Sequence, residues 1–123
     1  MAFTSQLNNS ILNHVFRNEP YTPPSSVYMA LFTSSNTEVS GDGYERKQIT
    51  FSAPINNEIA NDEEVRFPIA MSDWGTITHL AIFDSETGGN MLDLAEIEAE
   101  SQRIVRENDQ PIVGVGDYKV ELR

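Results

Sequence analysis

The sequence predicts a mainly β fold, an antiparallel β-sandwich or barrel of about six to eight strands with an N-terminal α-helix. Apolar stretches with strand-like patterning recur about every ten residues and are separated by turn residues such as Gly, Pro, Asn and Asp. Helical spacing of apolar residues is confined to the first 17 positions. A length of 123 residues suits one domain, and we expect a single domain over residues 1–123.

The N-terminal segment predicts an amphipathic helix over residues 5–17. Thr4 or Ser5 can cap its first turn, and the prolines from position 20 onward prevent its continuation. Its apolar side chains share one face: Leu7, Ile11, Leu12, Val15 and Phe16. Because so short a helix needs a partner surface, this face packs either on the sheet of its own domain or on another subunit.

The β-rich body is predicted over residues 27–123. Residues 27–32 form a nearly continuous apolar run, which is typical of a central strand buried on both faces. Residues 44–51 alternate only in part, and their charged middle indicates an edge strand. Further strands are predicted at residues 63–70, 76–84, 91–99, 102–106, 111–116 and 118–122.

For two of these segments, particular residues limit or complicate the strand prediction. Pro68 lacks a backbone N–H, so its strand lies at a sheet edge or ends there. The Ala, Glu and Leu content of residues 91–99 also fits a helix, although the strand interpretation is preferred.

The charge of the chain excludes two classes of partner. It has 19 acidic and 8 basic residues, a formal net charge of −11. Nucleic-acid binding requires a basic patch, and anionic membrane surfaces repel an acidic protein. The first residues also lack the charged and apolar regions of a secretory signal. We therefore expect neither nucleic acid nor membrane as a partner.

The acidic residues are concentrated in two places. One is residues 58–64, and the other is a set around the predicted strand at residues 91–99, comprising Asp93, Glu96, Glu98 and Glu100. Alternation along a strand places residues 96, 98 and 100 on one face, where like charges repel. This face is either solvated or compensated by a cation or a basic partner.

No residue pattern predicts an enzyme or a cofactor site. The chain has no cysteine, which excludes disulfides, thiolate metal sites and thiol nucleophiles. His14 and His79 lack the spacing of a zinc motif, and no Gly-x-Ser-x-Gly elbow or phosphate-binding glycine loop is present. We therefore expect no catalytic residue, no metal ligand and no cofactor, and a small hydrolase is the least favoured alternative.

Trp74, the single tryptophan, lies between Asp73 and Gly75 at the entry to a buried run. A large aromatic in this position usually anchors a core, with its indole N–H bonded locally. The alternative is an exposed indole that stacks on a glycan. Trp74 is thus a candidate structural anchor or glycan contact.

Several separated motifs resemble small structural proteins of tailed bacteriophages. The resemblance covers roughly residues 7–94, and its motifs are Ile-Leu-Asn-His-x-Phe-Arg at residues 11–17, Val-Tyr-Met-Ala-Leu-Phe-Thr at 27–33, Gly-Tyr-Glu-Arg at 43–46, Asp-Trp-Gly-Thr-Ile-Thr-His at 73–79 and Gly-Gly-Asn at 88–90. The resemblance implies a virion component associated with a tail fibre, a baseplate or the capsid surface. It brings no catalytic residues.

We therefore expect a non-enzymatic virion structural protein, a tail-associated adaptor or fibre-attachment subunit that forms a homo-oligomer. A capsid decoration or cement protein and a carbohydrate-binding module of the adsorption apparatus are the alternatives. The expected location is the virion, assembled in the host cytoplasm. The expected partners are other copies of the chain and other virion proteins, with a host surface glycan as a further candidate.

The candidate assembly interface combines the apolar face of the helix with the edge strand. Two residues of that edge region, Tyr44 and Arg46, are included because a structural subunit needs apolar or edge-strand surface to bury against its partners.

Overall fold

The computed structural model describes residues 2–122 of the chain. Its elements, in chain order, are β1 Ala2–Phe3, α1 Ser5–Phe16, β2 Val27–Ser34, β3 Thr37–Glu38, β4 Lys47–Ile49, β5 Glu58–Ala60, β6 Val65–Arg66, β7 Gly75–Ile77, β8 His79–Phe83, β9 Met91–Glu96, a 3₁₀ turn Ala99–Ser101, β10 Arg103–Val105, β11 Ile112–Val113 and β12 Lys119–Glu121. The predicted class is confirmed: the chain is mainly β, with one N-terminal α-helix.

The main sheet has six antiparallel strands. Their order is β1-β9-β8-β2-β3, and β4 also pairs with β2. β2 is the central strand, because β8 lies along one side of it while β4 and β3 share the other side. The predicted central strand at residues 27–32 is therefore confirmed.

The two faces of β2 belong to different apolar clusters. Met29 and Leu31 point into a large core, whereas Ala30 and Phe32 join a small cluster on the opposite face. The rings of Phe32 and Phe83 stack there at 6.1 Å. This two-sided burial explains why the sequence of β2 is apolar without interruption.

Three antiparallel ladders close the large core against the main sheet. They pair β7 with β10, β6 with β11 and β5 with β12. The buried side chains that the ladders and their flanking loops contribute are Val65, Phe67, Trp74, Ile77, Val105 and Tyr118. The result is sandwich-like and is not a closed barrel.

The strands are shorter and more numerous than the expected six to eight. The described residues contain twelve, and the run predicted at residues 76–84 divides at Thr78 into β7 and β8, which belong to different sheets. The backbone N–H of Thr78 donates to the carbonyl of Phe32 at this corner. Residues 91–99 form a strand, as preferred, and only a 3₁₀ turn follows it. No helix among residues 2–122 has the length and apolar character to cross a membrane.

Candidate functional site

The helix α1 is fixed to the body of the protein at its first turn. The hydroxyl of Thr4 accepts a hydrogen bond from the backbone N–H of Leu7 and donates to the carbonyl of Met91 at 2.8 Å. The backbone N–H of Thr4 donates to the carbonyl of Leu92. Thr4 therefore serves both as the predicted N-cap and as the bond between α1 and β9.

Beyond this first turn, the body of the protein covers little of α1. No residue of the helix is buried. Leu7 lines a cavity of about 320 Å³ between the helix and the body, together with Ser10, Tyr21, Pro24 and Leu92. This cavity shows that the base of α1 is not closely packed on the main sheet.

The far end of α1 presents its apolar face to solvent. Leu12 is 54% exposed, Val15 is 63% exposed and Phe16 is 79% exposed, while Leu7 and Ile11 are half-buried. The helix ends where Asn18 adopts a φ of 55° and Pro20 follows. We call the three exposed side chains of Leu12, Val15 and Phe16 the α1 face.

Tyr44 and Arg46, the other two candidate interface residues, point inward. The guanidinium of Arg46 is buried and forms a two-pronged ion pair with Glu38, with both N···O distances 2.9 Å. Its remaining nitrogen donates to the carbonyls of Ser85 and Gly88. Its planar group also lies 3.6 Å over the ring of Phe83, which satisfies its charge within the chain.

The phenol of Tyr44 completes this buried network. It donates to the Glu38 carboxylate at 2.6 Å and accepts from the backbone N–H of Leu31. Although burial raises the pKa of Glu38, the hydrogen bonds from Arg46 and Tyr44 hold it below its usual range. Residues 44 and 46 thus stabilise the fold and offer little surface to a partner.

Trp74 is buried. Its indole N–H donates to the carbonyl of Asp42 at 3.0 Å, and its ring meets that of Tyr44 edge-on at 5.5 Å. This placement fits the anchor interpretation and leaves no indole face for a sugar ring to stack on.

One member of the acidic set around residues 91–99 is buried. Asp93 is 2% exposed and accepts a hydrogen bond from the phenol of Tyr118, whereas Glu96, Glu98 and Glu100 are exposed. Asp93 points to the large core because it pairs with Ile82 of β8, a residue of that core, after a register shift that puts Met91 on the opposite face with Phe83. Desolvation raises the pKa of the Asp93 carboxyl.

The histidines remain apart from any ligand cluster. The ring of His14 contacts the carbonyl of Glu19 through Nδ1 at 2.9 Å, and that of His79 contacts the hydroxyl of Thr78 at 2.7 Å. Within residues 2–122, no group of three His, Asp or Glu side chains is placed to hold a metal ion.

A second apolar surface lies at the opposite end of β8 and β9 from the base of α1. It is a groove of about 410 Å³, which we call the β10–β11 groove, and its walls include Ile77, Leu80, Ile97, Ile104, Ile112 and Val113. Ile104 and Ile112 are about half exposed at its rim. The sequence does not predict this groove, because its residues come from short strands that are far apart in the chain. The sequence shows that each residue is apolar but not that they meet.

The comparison with protein families gave a match along nearly the whole chain. A family model described as podophage GP4 fiber I protein gp80 matches residues 2–121, which takes in α1 and all twelve strands. The match extends through the C-terminal quarter, which the motif resemblance did not reach. The comparison with curated proteins found no match.

Proposed function

The chain belongs to the family of the podophage GP4 fiber I protein gp80, a family of tailed-phage fibre structural proteins, and on this basis we propose that it is a non-enzymatic, tail-associated subunit of the virion. It works as an adaptor or fibre-attachment subunit and associates with copies of itself and with other virion proteins. Assembly takes place in the host cytoplasm. The fibre description of the family favours the tail over a capsid decoration role.

The observation that carries this proposal is the exposed α1 face. Full burial of a Leu, Val or Phe side chain contributes about 1.5–3 kcal/mol. A short helix that is bonded to the body at its first turn leaves these three side chains in water, which is costly for an isolated chain. An assembly partner that covers Leu12, Val15 and Phe16 recovers this free energy.

Charge supports the same assignment. Residues 1–18 contain one basic and no acidic residue, while the rest of the chain contains seven basic and nineteen acidic residues, a net charge of −12. Copies of an acidic body repel one another, and the contact that joins them therefore favours a segment free of carboxylates. Helix α1 is such a segment. No observation favours the carbohydrate-binding alternative, since Trp74 is buried.

Sedimentation of the purified chain and incorporation into phage particles test the proposal. The wild-type chain is expected to form oligomers that grow with concentration, and Phe16→Glu is expected to stay monomeric and to be depleted from particles. Ile55→Glu is the matched control, because Ile55 is also large, apolar and exposed but lies in the connection between β4 and β5, beside residues 52–60. A wild-type chain that stays monomeric and is absent from particles contradicts the proposal, as does a Phe16→Glu chain that assembles normally.

A further inference from the structure

The base of α1 and the β10–β11 groove lie at opposite ends of β8 and β9. In this antiparallel pair Phe83 faces Met91 at one end, and His79 faces Glu96 at the other, about 13 Å away at the usual rise per residue. Helix α1 is bonded to Met91 and Leu92 at the first end. The β10–β11 groove contains Leu80 and Ile97 and therefore lies at the second end.

The helix cannot fill the groove of its own chain. Thr4, which precedes α1, is bonded to β9 at the first end, and Tyr21, which follows it, lines the cavity there together with Leu92. Both ends of the helical segment are thus held away from the groove. An occupant of the groove comes from another molecule.

We propose that the α1 face of one copy seats in the β10–β11 groove of a second copy, in a head-to-tail contact. The inference rests on the proposed self-association and identifies its acceptor surface. A contact between two different patches repeats from copy to copy, so it produces either a closed ring or an extended filament.

Charge complementarity favours this pairing over a symmetric contact between two helices. The segment from residue 96 to residue 109, which borders the groove, contains five acidic and two basic residues. One of the basic pair, Arg103, already donates to the carbonyls of Glu100 and Gln102. Helix α1 has no acidic residue and is capped by Arg17, and Glu19 follows two residues later. Docking places a carboxylate-free helix and the guanidinium of Arg17 against an anionic rim, whereas a second α1 helix offers Arg17 no anionic side chain of its own.

The area that the contact can bury also favours docking in the groove over the pairing of two helices. Stable protein interfaces bury about 800 Å² per partner, and association must also offset lost translational and rotational freedom. A 12-residue helix is only about 18 Å long, so one helix against another covers a narrow stripe. A helix seated in a groove is covered on more than one side, and the rim residues Ile104 and Ile112 are placed to extend the contact.

Complementary variants test the contact by sedimentation. Phe16→Glu removes the donor surface and Ile104→Glu removes the acceptor surface, so each variant alone is expected to be monomeric. In an equimolar mixture, the intact helix of the Ile104→Glu chain meets the intact groove of the Phe16→Glu chain. The mixture is therefore expected to form a dimer with one copy of each variant and nothing larger. Ile55→Glu is expected to assemble like the wild type.

The results that would contradict the proposal distinguish failure of the groove contact from failure of self-association itself. If Ile104→Glu assembles like the wild type while Phe16→Glu does not, self-association through α1 stands and the groove is overturned as its acceptor. If the folded variants form no dimer on mixing, the head-to-tail contact is overturned. If the wild type itself is monomeric at every concentration, self-association fails and this contact with it. Circular dichroism verifies folding, and Val15→Glu or Ile112→Glu replaces a variant that does not fold.

Discussion

The phenol of Tyr118 donates a hydrogen bond to the carboxylate of Asp93, with 2.5 Å between the two oxygens, inside the large core. The bond joins β9 of the main sheet to the residue that precedes β12. Burial, followed by the charge and the hydrogen bond of Asp93, raises the pKa of Tyr118. This pair holds the last ladder of the sandwich against the sheet that carries α1.

Tyr118→Phe is expected to destabilise the protein by about 1–3 kcal/mol, because it removes a hydrogen bond to a buried carboxylate while keeping the ring. Urea unfolding followed by circular dichroism measures the loss. The same substitution in an Asp93→Asn background is expected to cost less, since the two residues act as a pair. Equal costs in both backgrounds contradict the coupling.

Asp93 is expected to make the protein less stable as the pH rises above about 4. Desolvation raises the pKa of Asp93 in the folded protein, whereas an unfolded Asp titrates near 3.9. The folded state therefore binds this proton more tightly, and stability falls as the pH rises through the folded pKa. The melting temperature of Asp93→Asn minus that of the wild type is expected to increase between pH 4 and 8. A difference that does not vary with pH contradicts this role.

Arg46→Lys is expected to cost about 1.5–3 kcal/mol, because an ammonium cannot reproduce the two-pronged pair with Glu38 and the bonds to Ser85 and Gly88. Hydrogen exchange is expected to accelerate at the amides of residues 84–90. Arg66→Lys is the matched control: its pair with Glu64 is exposed and worth less than about 1 kcal/mol. Similar costs for the two substitutions argue against the buried network.

Gly41→Ala is expected to displace Trp74, because a Cβ at position 41 collides with Cδ1 of the indole. Overpacking of this kind costs about 1–3 kcal/mol. Trp74 is the single tryptophan, so its fluorescence emission reports the change directly and is expected to shift to longer wavelength. Ser40→Ala, at an exposed neighbouring position, is expected to leave the emission unchanged. Identical spectra for Gly41→Ala and the wild type rule out the tight contact.

Local sequence patterns correctly predicted those helices and strands whose conformation depends mainly on residues close together in the chain. The Thr4 cap and the proline after the helix bounded α1, and the unbroken apolar run located β2 at the centre of the sheet. Pro68 correctly indicated the end of a strand, since β6 stops at Arg66. These signals work because capping, proline geometry and two-sided burial act within a few residues of the chain.

Contacts between residues that are distant in the chain could not be predicted from such local patterns. The sequence did not predict the burial of Arg46 or Asp93, because charged side chains usually lie at the surface. Their burial depends on Glu38 and Tyr118, which the fold brings to them from elsewhere in the chain. The β10–β11 groove was missed for the same reason, because its walls come from separate short strands.

A reconstruction of the phage particle by electron cryomicroscopy can show where the chain lies and what covers its helix. We expect several copies of this chain at the tail, with Leu12, Val15 and Phe16 of each copy covered by a neighbouring protein subunit. A chain found on the capsid surface, or found at the tail with the α1 face open to solvent in every copy, contradicts this expectation.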